Sequence, residues 1–336
     1  MAALGLRCAA TGVAILVGAV FAQPAWSAAD SPIIIRMSVD NPPGTPRAAG
    51  EEYFANAVEK MSGGRMKVQI FWSGSLGGVQ RSALDTMRAG GAEIAAISTS
   101  NFSAVDRTWA MFDLPFLFDG PASLYKYIDG PEFAKLSNDT ARKDGVRYIF
   151  IWYDNWRQLI TTKRAIHTPE QADGVKLRTT GSPIETAYDK AFGANPTTVD
   201  WSETYLALKN GLVDGYLNGY TTVVNFKQDD AVKYGTTLNI VPIVVCMFMN
   251  ENFFKKLPHD LQEIIEKAGH AADLQDRKLD AENAEASVEQ LKKEGFVVYN
   301  PTPDEKAKWV AKVQPVYTQF GSWFPAGSID KIRSGQ

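Results

Sequence analysis

The sequence predicts an α/β protein of two domains with a long helix in its C-terminal half. Three observations carry this reading. Short apolar runs alternate with stretches of helical period through the first hundred residues of the folded chain. At 336 residues the chain is longer than a single hydrophobic core readily serves. From Pro258 to Gly295, Leu261, Ile264, Ile265, Ala268, Ala272 and Leu279 recur at helical spacing in polar surroundings. With 45% hydrophobic and 22% charged residues, disordered, collagen-like and disulfide-scaffold classes are excluded.

Met1 to Ala29 reads as a cleaved secretory signal. Arg7 precedes an uncharged apolar run, Cys8 to Ala22, and Pro24 leads to the small residues Ser27, Ala28 and Ala29. That run is short for a bilayer-spanning helix, which needs about 20 residues. Cys8 stands at its start, which argues against a lipoprotein. Without this segment, 34 basic residues (35 less Arg7) face 38 acidic ones, a net charge near −4. Such a balance speaks against nucleic acid as a partner. Cys246 alone remains and cannot form an internal disulfide. The mature chain is expected to be a soluble, monomeric protein of the periplasm.

Ile33 to Val39 is a buried-strand run that stops at the turn residues Asp40-Asn41-Pro42-Pro43-Gly44. Ala48 to Met61 has one apolar face and ends at Ser62-Gly63-Gly64, where glycine accepts the left-handed conformation after a helix. Met66 to Phe71 alternates as a second strand, Gln80 to Arg88 reads as a helix, and Ile94 to Ile97 as a third strand. Alternation of this kind argues for parallel strands joined by crossover helices. Strands follow over Gly145 to Tyr153, Lys176 to Thr179, Asn195 to Val199, Val213 to Leu217 and Ile240 to Met249. Between them lie helices at Ser182 to Phe192 and, from a serine N-cap, Ser202 to Asn210. The tail reads as helical from Pro303 to Trp323. No low-complexity linker interrupts the chain, so two domains would be joined by several crossings.

Catalytic signatures are absent. There is no phosphate loop, dinucleotide fingerprint, His-Glu-x-x-His or Gly-x-Ser-x-Gly. The Gly74 to Gly78 loop before a helix reads as a tight turn ahead of an anion site. His167, His259 and His270 stand beside no nucleophile or carboxylate in a known motif, and 3 histidines leave little room for a histidine-rich metal site. An exported α/β chain of this kind is expected to bind rather than react, with no cofactor and no metal. The rival readings are an exported hydrolase using Asp113, Asp154 or Glu203, and a periplasmic sensor subunit for a membrane kinase.

One stretch is specific. It holds Gly174-Val175-Lys176-Leu177-Arg178, Gly193-Ala194-Asn195-Pro196-Thr197, Trp201-Ser202-Glu203-Thr204-Tyr205-Leu206-Ala207-Leu208 and Gly211-Leu212-Val213-Asp214-Gly215-Tyr216-Leu217-Asn218. With Pro42-Pro43-Gly44, Ser62-Gly63-Gly64-Arg65, Ser75-Leu76-Gly77, Asp113-Leu114-Pro115-Phe116-Leu117-Phe118 and Leu257-Pro258 in order, the mature chain resembles the DctP-type solute-binding proteins of tripartite ATP-independent periplasmic (TRAP) transporters. The resemblance implies a two-domain periplasmic-binding-protein-like fold with hinge-linked sheets: 30–154 plus 244–283 as one domain, 155–243 plus 284–336 as the other. It also implies a small organic acid anion delivered to membrane permease subunits, the rest of that molecule being left open as aliphatic, aromatic or sugar-derived.

Residue roles follow from the same resemblance. Arg178 matches the strand arginine that pairs with the ligand carboxylate, a pairing suited to the forked guanidinium. Asn218 matches an asparagine reaching the same carboxylate, Trp201 an aromatic cover, and Arg157 a second arginine near the pocket. On the other domain, Asp40 or Asn41 and the segment Ser98-Thr99-Ser100-Asn101 fall where ligand-selecting groups lie. Sialic-acid binders carry a glutamate where this chain has Ser98 or Thr99, which speaks against sialic acid. Trp72, Tyr153, Trp156, Tyr216 and Tyr220 are further aromatic candidates for the site or for the core.

Overall fold

A computed structural model describes residues 31–334. The export segment assigned above lies outside the described residues. The strands are β1 (Ile33–Ser38), β2 (Met66–Phe71), β3 (Ile94–Ser98), β4 (Val146–Trp156), β5 (Gln158–Thr161), β6 (Lys176–Thr179), β7 (Asn195–Thr198), β8 (Gly215–Asn218), β9 (Tyr234–Thr236), β10 (Pro242–Asn250) and β11 (Val297–Tyr299). They form two sheets, ordered β2-β1-β3-β10-β4 and β11-β9-β5-β8-β6-β7.

The first sheet is covered on both faces, and β10 shows why its run is apolar throughout. Val245, Met247 and Met249 join a core with Ile35, Met37 and Phe54, closed by Leu261, Ile265 and Ala268 of the long helix. Cys246 and Phe248 point the other way, into a core with Phe102, Trp109 and Phe112. Alternate side chains of a strand leave opposite faces, so a doubly covered strand has no polar side. Cys246 is inert there, its thiol pushed up by burial.

The long helix, His259–Lys293, contributes more than apolar cover. Asp273 accepts from the Ile151 N–H at 2.6 Å and Asp276 from the Tyr153 N–H at 2.9 Å. Those donors lie on β4, the edge of the first sheet, so the helix closes that edge. Gly269 permits the approach: a Cβ there would sit 2.4 Å from the Ile149 carbonyl oxygen.

Two crossings between the sheets lie side by side. Arg157 donates its N–H to Val241 O (2.8 Å), and Ile240 donates to Arg157 O (3.0 Å). The Gln158 side chain ties the same place, donating to Asn239 Oδ1 at 2.6 Å and accepting from the Leu238 and Asn239 N–H groups. Asn155 and Asn239, with φ of 65° and 51°, make the reversals on either side.

The sheets are mixed, where the sequence led us to expect parallel strands. β1 runs parallel to β2 and β3, but β10 is antiparallel to β3 and β4 because it re-enters the first sheet from the second. Ser202 is not a cap; the helix Trp201–Lys209 starts one residue earlier, with Asp200 in the cap position. The short strands β5, β9 and β11 had no legible periodicity, and β4 runs on to Trp156.

Candidate functional site

Between the sheets lies a cleft of about 480 Å³ counted out to its mouth. Its second-sheet wall is built at strand ends. β6 and β8 are parallel neighbours with Arg178 opposite Tyr216, so both deliver their last residues to one place. Leu177 turns into the core and Arg178 to the cleft. Asn218 arrives from β8 and Trp201 from the first turn of the helix after β7. Ligand sites in α/β sheets commonly form at such carboxyl ends.

Arg178 is 4% exposed. Its Nε donates to Val199 O at 2.8 Å, and its guanidinium carbon stands 5.7 Å from the Trp201 ring centroid. Among the described residues no carboxylate lies within 4.0 Å of it, and its two terminal nitrogens make no hydrogen bond. Burial pushes its pKa down to about 10, with Arg157 acting in the same direction and Glu185 against. A buried, still charged cation faces the cleft without a counter-ion.

Arg157, on the same cleft, is the opposite case. Nη1 pairs with Glu185 Oε1 at 2.6 Å and Nη2 donates to Ser100 Oγ at 3.0 Å. Burial disfavours its charge, but Glu185 and the neighbouring Tyr188, Asp113 and Asp189 hold the pKa above the usual value. Ser100 also donates to Asp113, which accepts from Ser182 Oγ at 2.7 Å. Ser182 caps the helix Pro183–Ala191, so this buried network joins the two units behind the cleft.

The first-sheet wall brings Asp40, Gln80 and Ser98 together. Gln80 Nε2 donates to Asp40 Oδ2 at 2.8 Å while its Oε1 accepts from the Ser98 N–H at 3.0 Å. Arg47 Nη2 approaches Asp40 Oδ1 to 2.7 Å, an ion pair by distance whose angle is too poor for a hydrogen bond. Arg47 Nε also donates to Glu51 at 3.1 Å. Asp154, near the end of β4, accepts from Thr222 Oγ1 at 3.2 Å, and desolvation pushes its pKa up to about 6.

Of the sequence-predicted residues, Arg178, Arg157, Asn218, Trp201, Asp40 and Ser98 line this cleft. Thr99 does not: it is 1% exposed, inside the short helix Thr99–Phe102. Trp72 packs on the core beneath the long helix. Tyr220 turns away to Thr237 Oγ1 (3.0 Å) and the Phe296 ring. Tyr153 and Trp156 lie in the core with Phe102 and Trp109, and Tyr216 is spent on Gln228 (2.6 Å). Asn41 is 1% exposed and holds Glu51. Sequence reasoning missed Arg47, Gln80, Thr180, Thr222 and Phe226 on the cleft wall. Phe226 packs edge-on against Trp201 at 4.9 Å, so the aromatic cover is a pair. Asp154, weighed above as a catalytic acid, is a wall residue, and Glu203 is solvent-exposed. Among the described residues no three His, Cys, Asp or Glu side chains form a metal-binding group. No helix among them is long and apolar enough to cross a membrane.

Two α/β units joined by paired crossings, with an unmatched guanidinium on the cleft between them, define a hinged solute-binding protein. The chain belongs to the bacterial extracellular solute-binding protein family 7, the DctP family, whose profile matches residues 37–322. It is 31% identical over 305 residues to a solute-binding protein of Verminephrobacter eiseniae, spanning 90% of this chain and 89% of that one. The TRAP periplasmic solute-binding protein of Sulfurospirillum deleyianum, solved with bound succinate, matches with a TM-score of 0.85 at 28% identity, over 91% of this chain and 100% of that one. The sugar acid binding protein DctPAm of Advenella mimigardefordensis, in complex with galactonate, matches with a TM-score of 0.86 at 26% identity, over 90% and 97%. The family consists of binding proteins, so the hydrolase reading is set aside.

Proposed function

We propose that this protein captures a small organic acid anion in the periplasm, closes over it about the 155–158 and 239–242 crossings, and delivers it to the permease subunits of a TRAP transporter. The observation that carries the reading is Arg178, 4% exposed, charged and without a carboxylate partner. A carboxylate entering the cleft supplies the missing counter-ion through two parallel N–H bonds, an arrangement that is strong and directional. In this reading Asn218 reaches the same carboxylate, the Trp201–Phe226 pair covers the ligand, and Arg157 holds the wall in place. One domain comprises 30–154 with 244–283, the other 155–243 with 284–336. The membership of β10 in the first sheet supports the re-entry of the chain there.

Micromolar to nanomolar capture corresponds to about −8 to −12 kcal/mol. Removing one partner of a buried charge pair costs about 3–5 kcal/mol. Arg178→Ala is therefore expected to weaken carboxylate binding at least about a hundredfold in calorimetric titration, with an unchanged circular dichroism spectrum. Near-normal affinity in a folded Arg178→Ala protein refutes the anchor.

A further inference from the structure

The two walls of the cleft are chemically unlike. The second-sheet wall offers a guanidinium with free donors. The first-sheet wall also holds a guanidinium, Arg47, yet that one is already met. Asp40 stands at 2.7 Å and Glu51 at 3.1 Å from it, and Asp154 adds a third carboxylate close enough to influence Arg47. Burial pushes Glu51 up to about 7, so at neutral pH it is part-charged, and the three carboxyl groups Asp40, Glu51 and Asp154 surround a single guanidinium. This wall therefore carries a negative balance, and like charges brought together in a partly desolvated cleft repel strongly.

The same wall offers partners for neutral polar groups. Asp40 Oδ1 is buried without a hydrogen bond, and Asp154 accepts from Thr222 with one oxygen. Hydroxyl groups both donate and accept. They can therefore give a proton to these carboxylate oxygens and take one from the side-chain amide of Asn101 beside Ser98. Ile243, Val245 and the Trp201–Phe226 pair supply the apolar surface that the C–H faces of a polyol chain or ring would meet.

We propose that the first-sheet wall selects a monocarboxylate bearing hydroxyl groups at its far end and excludes dicarboxylates. The proposal rests on the reading of Arg178 as the carboxylate anchor and adds to it what the rest of the ligand must be. A second carboxylate would meet Asp40 and Asp154, and the one guanidinium on that wall is already ion-paired with Asp40 and Glu51.

The test uses acids matched in skeleton: galactonate against galactarate at six carbons, and threonate against tartrate at four. Each pair differs only in a terminal CH₂OH or COO⁻. Affinities are measured by calorimetric titration of the mature chain after ligand removal, with succinate as a fifth acid. At one or both lengths the hydroxy monoacid is expected to bind at least about a hundredfold more tightly than its diacid. Asp154→Asn is expected to narrow that ratio at least about tenfold by improving the diacid. A preference for the monoacid below about a hundredfold at both lengths, tight binding of succinate alone, or a ratio unmoved by Asp154→Asn overturns the proposal. In those cases loss of the surviving binding in Arg178→Ala leaves the anchor standing. If all binding persists in Arg178→Ala, or no acid binds, the anchor and the proposal fall together.

Discussion

Replacing Arg178 by methionine is expected to make the ligand-free protein more stable while abolishing its response to ligand. The argument starts from the guanidinium's environment. Burial lowers the pKa from 12.5 to about 10, and each unit is worth about 1.4 kcal/mol between the charged and neutral forms. Holding the charge in the ligand-free cleft thus costs about 3 kcal/mol. The sign follows from linkage: a base with a depressed folded pKa is charged in both states below pH 10, so the cost is fully present at neutral pH. It would be relieved only as pH rises from about 10 towards 12.5. Methionine keeps much of the apolar stem but leaves Val199 O without the donor now 2.8 Å away, a loss of about 1–2 kcal/mol. The balance is a gain of about 1–2 kcal/mol, or roughly 2–8 °C at about 2–4 °C per kcal/mol. The assay is thermal unfolding of both proteins after unfolding, dialysis and refolding to strip ligand. Adding ligand at a hundred times its Kd should then raise the wild type by about 2.7 kcal/mol and leave the variant unmoved. A ligand-free variant less stable than the wild type by 1 kcal/mol or more would refute the reasoning, because Arg178 would then be a satisfied structural residue.

Further expectations follow from the same structure. Burial raises Glu51 and Asp273 to about 7 and Asp113 and Asp154 to about 6, all above their unfolded values. Stability from such groups is present at low pH and lost as pH rises through 6–7, so lowering pH from 8 to 5 should add about 1–3 kcal/mol for each of the four groups. Urea midpoints of the ligand-free protein measure this, and a midpoint that falls over that range contradicts it. Tyr220→Phe loses one hydrogen bond to Thr237 and should cost about 1 kcal/mol without changing ligand affinity; an affinity change in titration would return Tyr220 to the site. Gly269→Ala forces a methyl towards the Ile149 carbonyl and should cost about 1–3 kcal/mol in denaturant midpoint, with the slope unchanged.

The proposed anchor came from the resemblance, whose motifs were recognisable because they are local. Arg178, Trp201 and Asn218 fall within one strand-helix-strand-helix-strand segment, and the parallel pairing of β6 with β8 brings its ends together. The first-sheet wall was only half legible. Asp40 and Ser98 end strands, and strand ends can be read from the pattern. Gln80 sits at a helix start, Thr222 in a helix and Asp154 on a strand, and only the packing of the two sheets brings them to one cleft. Aromatic residues misled for a related reason. Trp72, Tyr153 and Tyr220 are near the site in sequence, but one position decides which face a side chain takes, and nothing in their immediate pattern marks that choice. The mixed sheets were hidden likewise, since the direction of β10 depends on where the chain has been.

The two arginines on the cleft show how recognition and architecture divide. Arg157 is paired with Glu185 and bonded to Ser100, and through Ser100, Asp113 and Ser182 it belongs to contacts that span both units without any ligand. Those contacts tie the two units together behind the cleft and involve no ligand atom. In the proposed reading Arg178 distinguishes an empty from an occupied cleft, since its terminal nitrogens have no hydrogen-bond partner among the described residues. A ligand shifts an equilibrium only by its difference in affinity for the two states. The difference here is greatest where one state leaves a desolvated charge unpaired and the other pairs it. The cost carried by Arg178 in the empty protein is therefore the same quantity that makes closure depend on ligand. Pairing it permanently with a protein carboxylate would stabilise the fold and remove the signal.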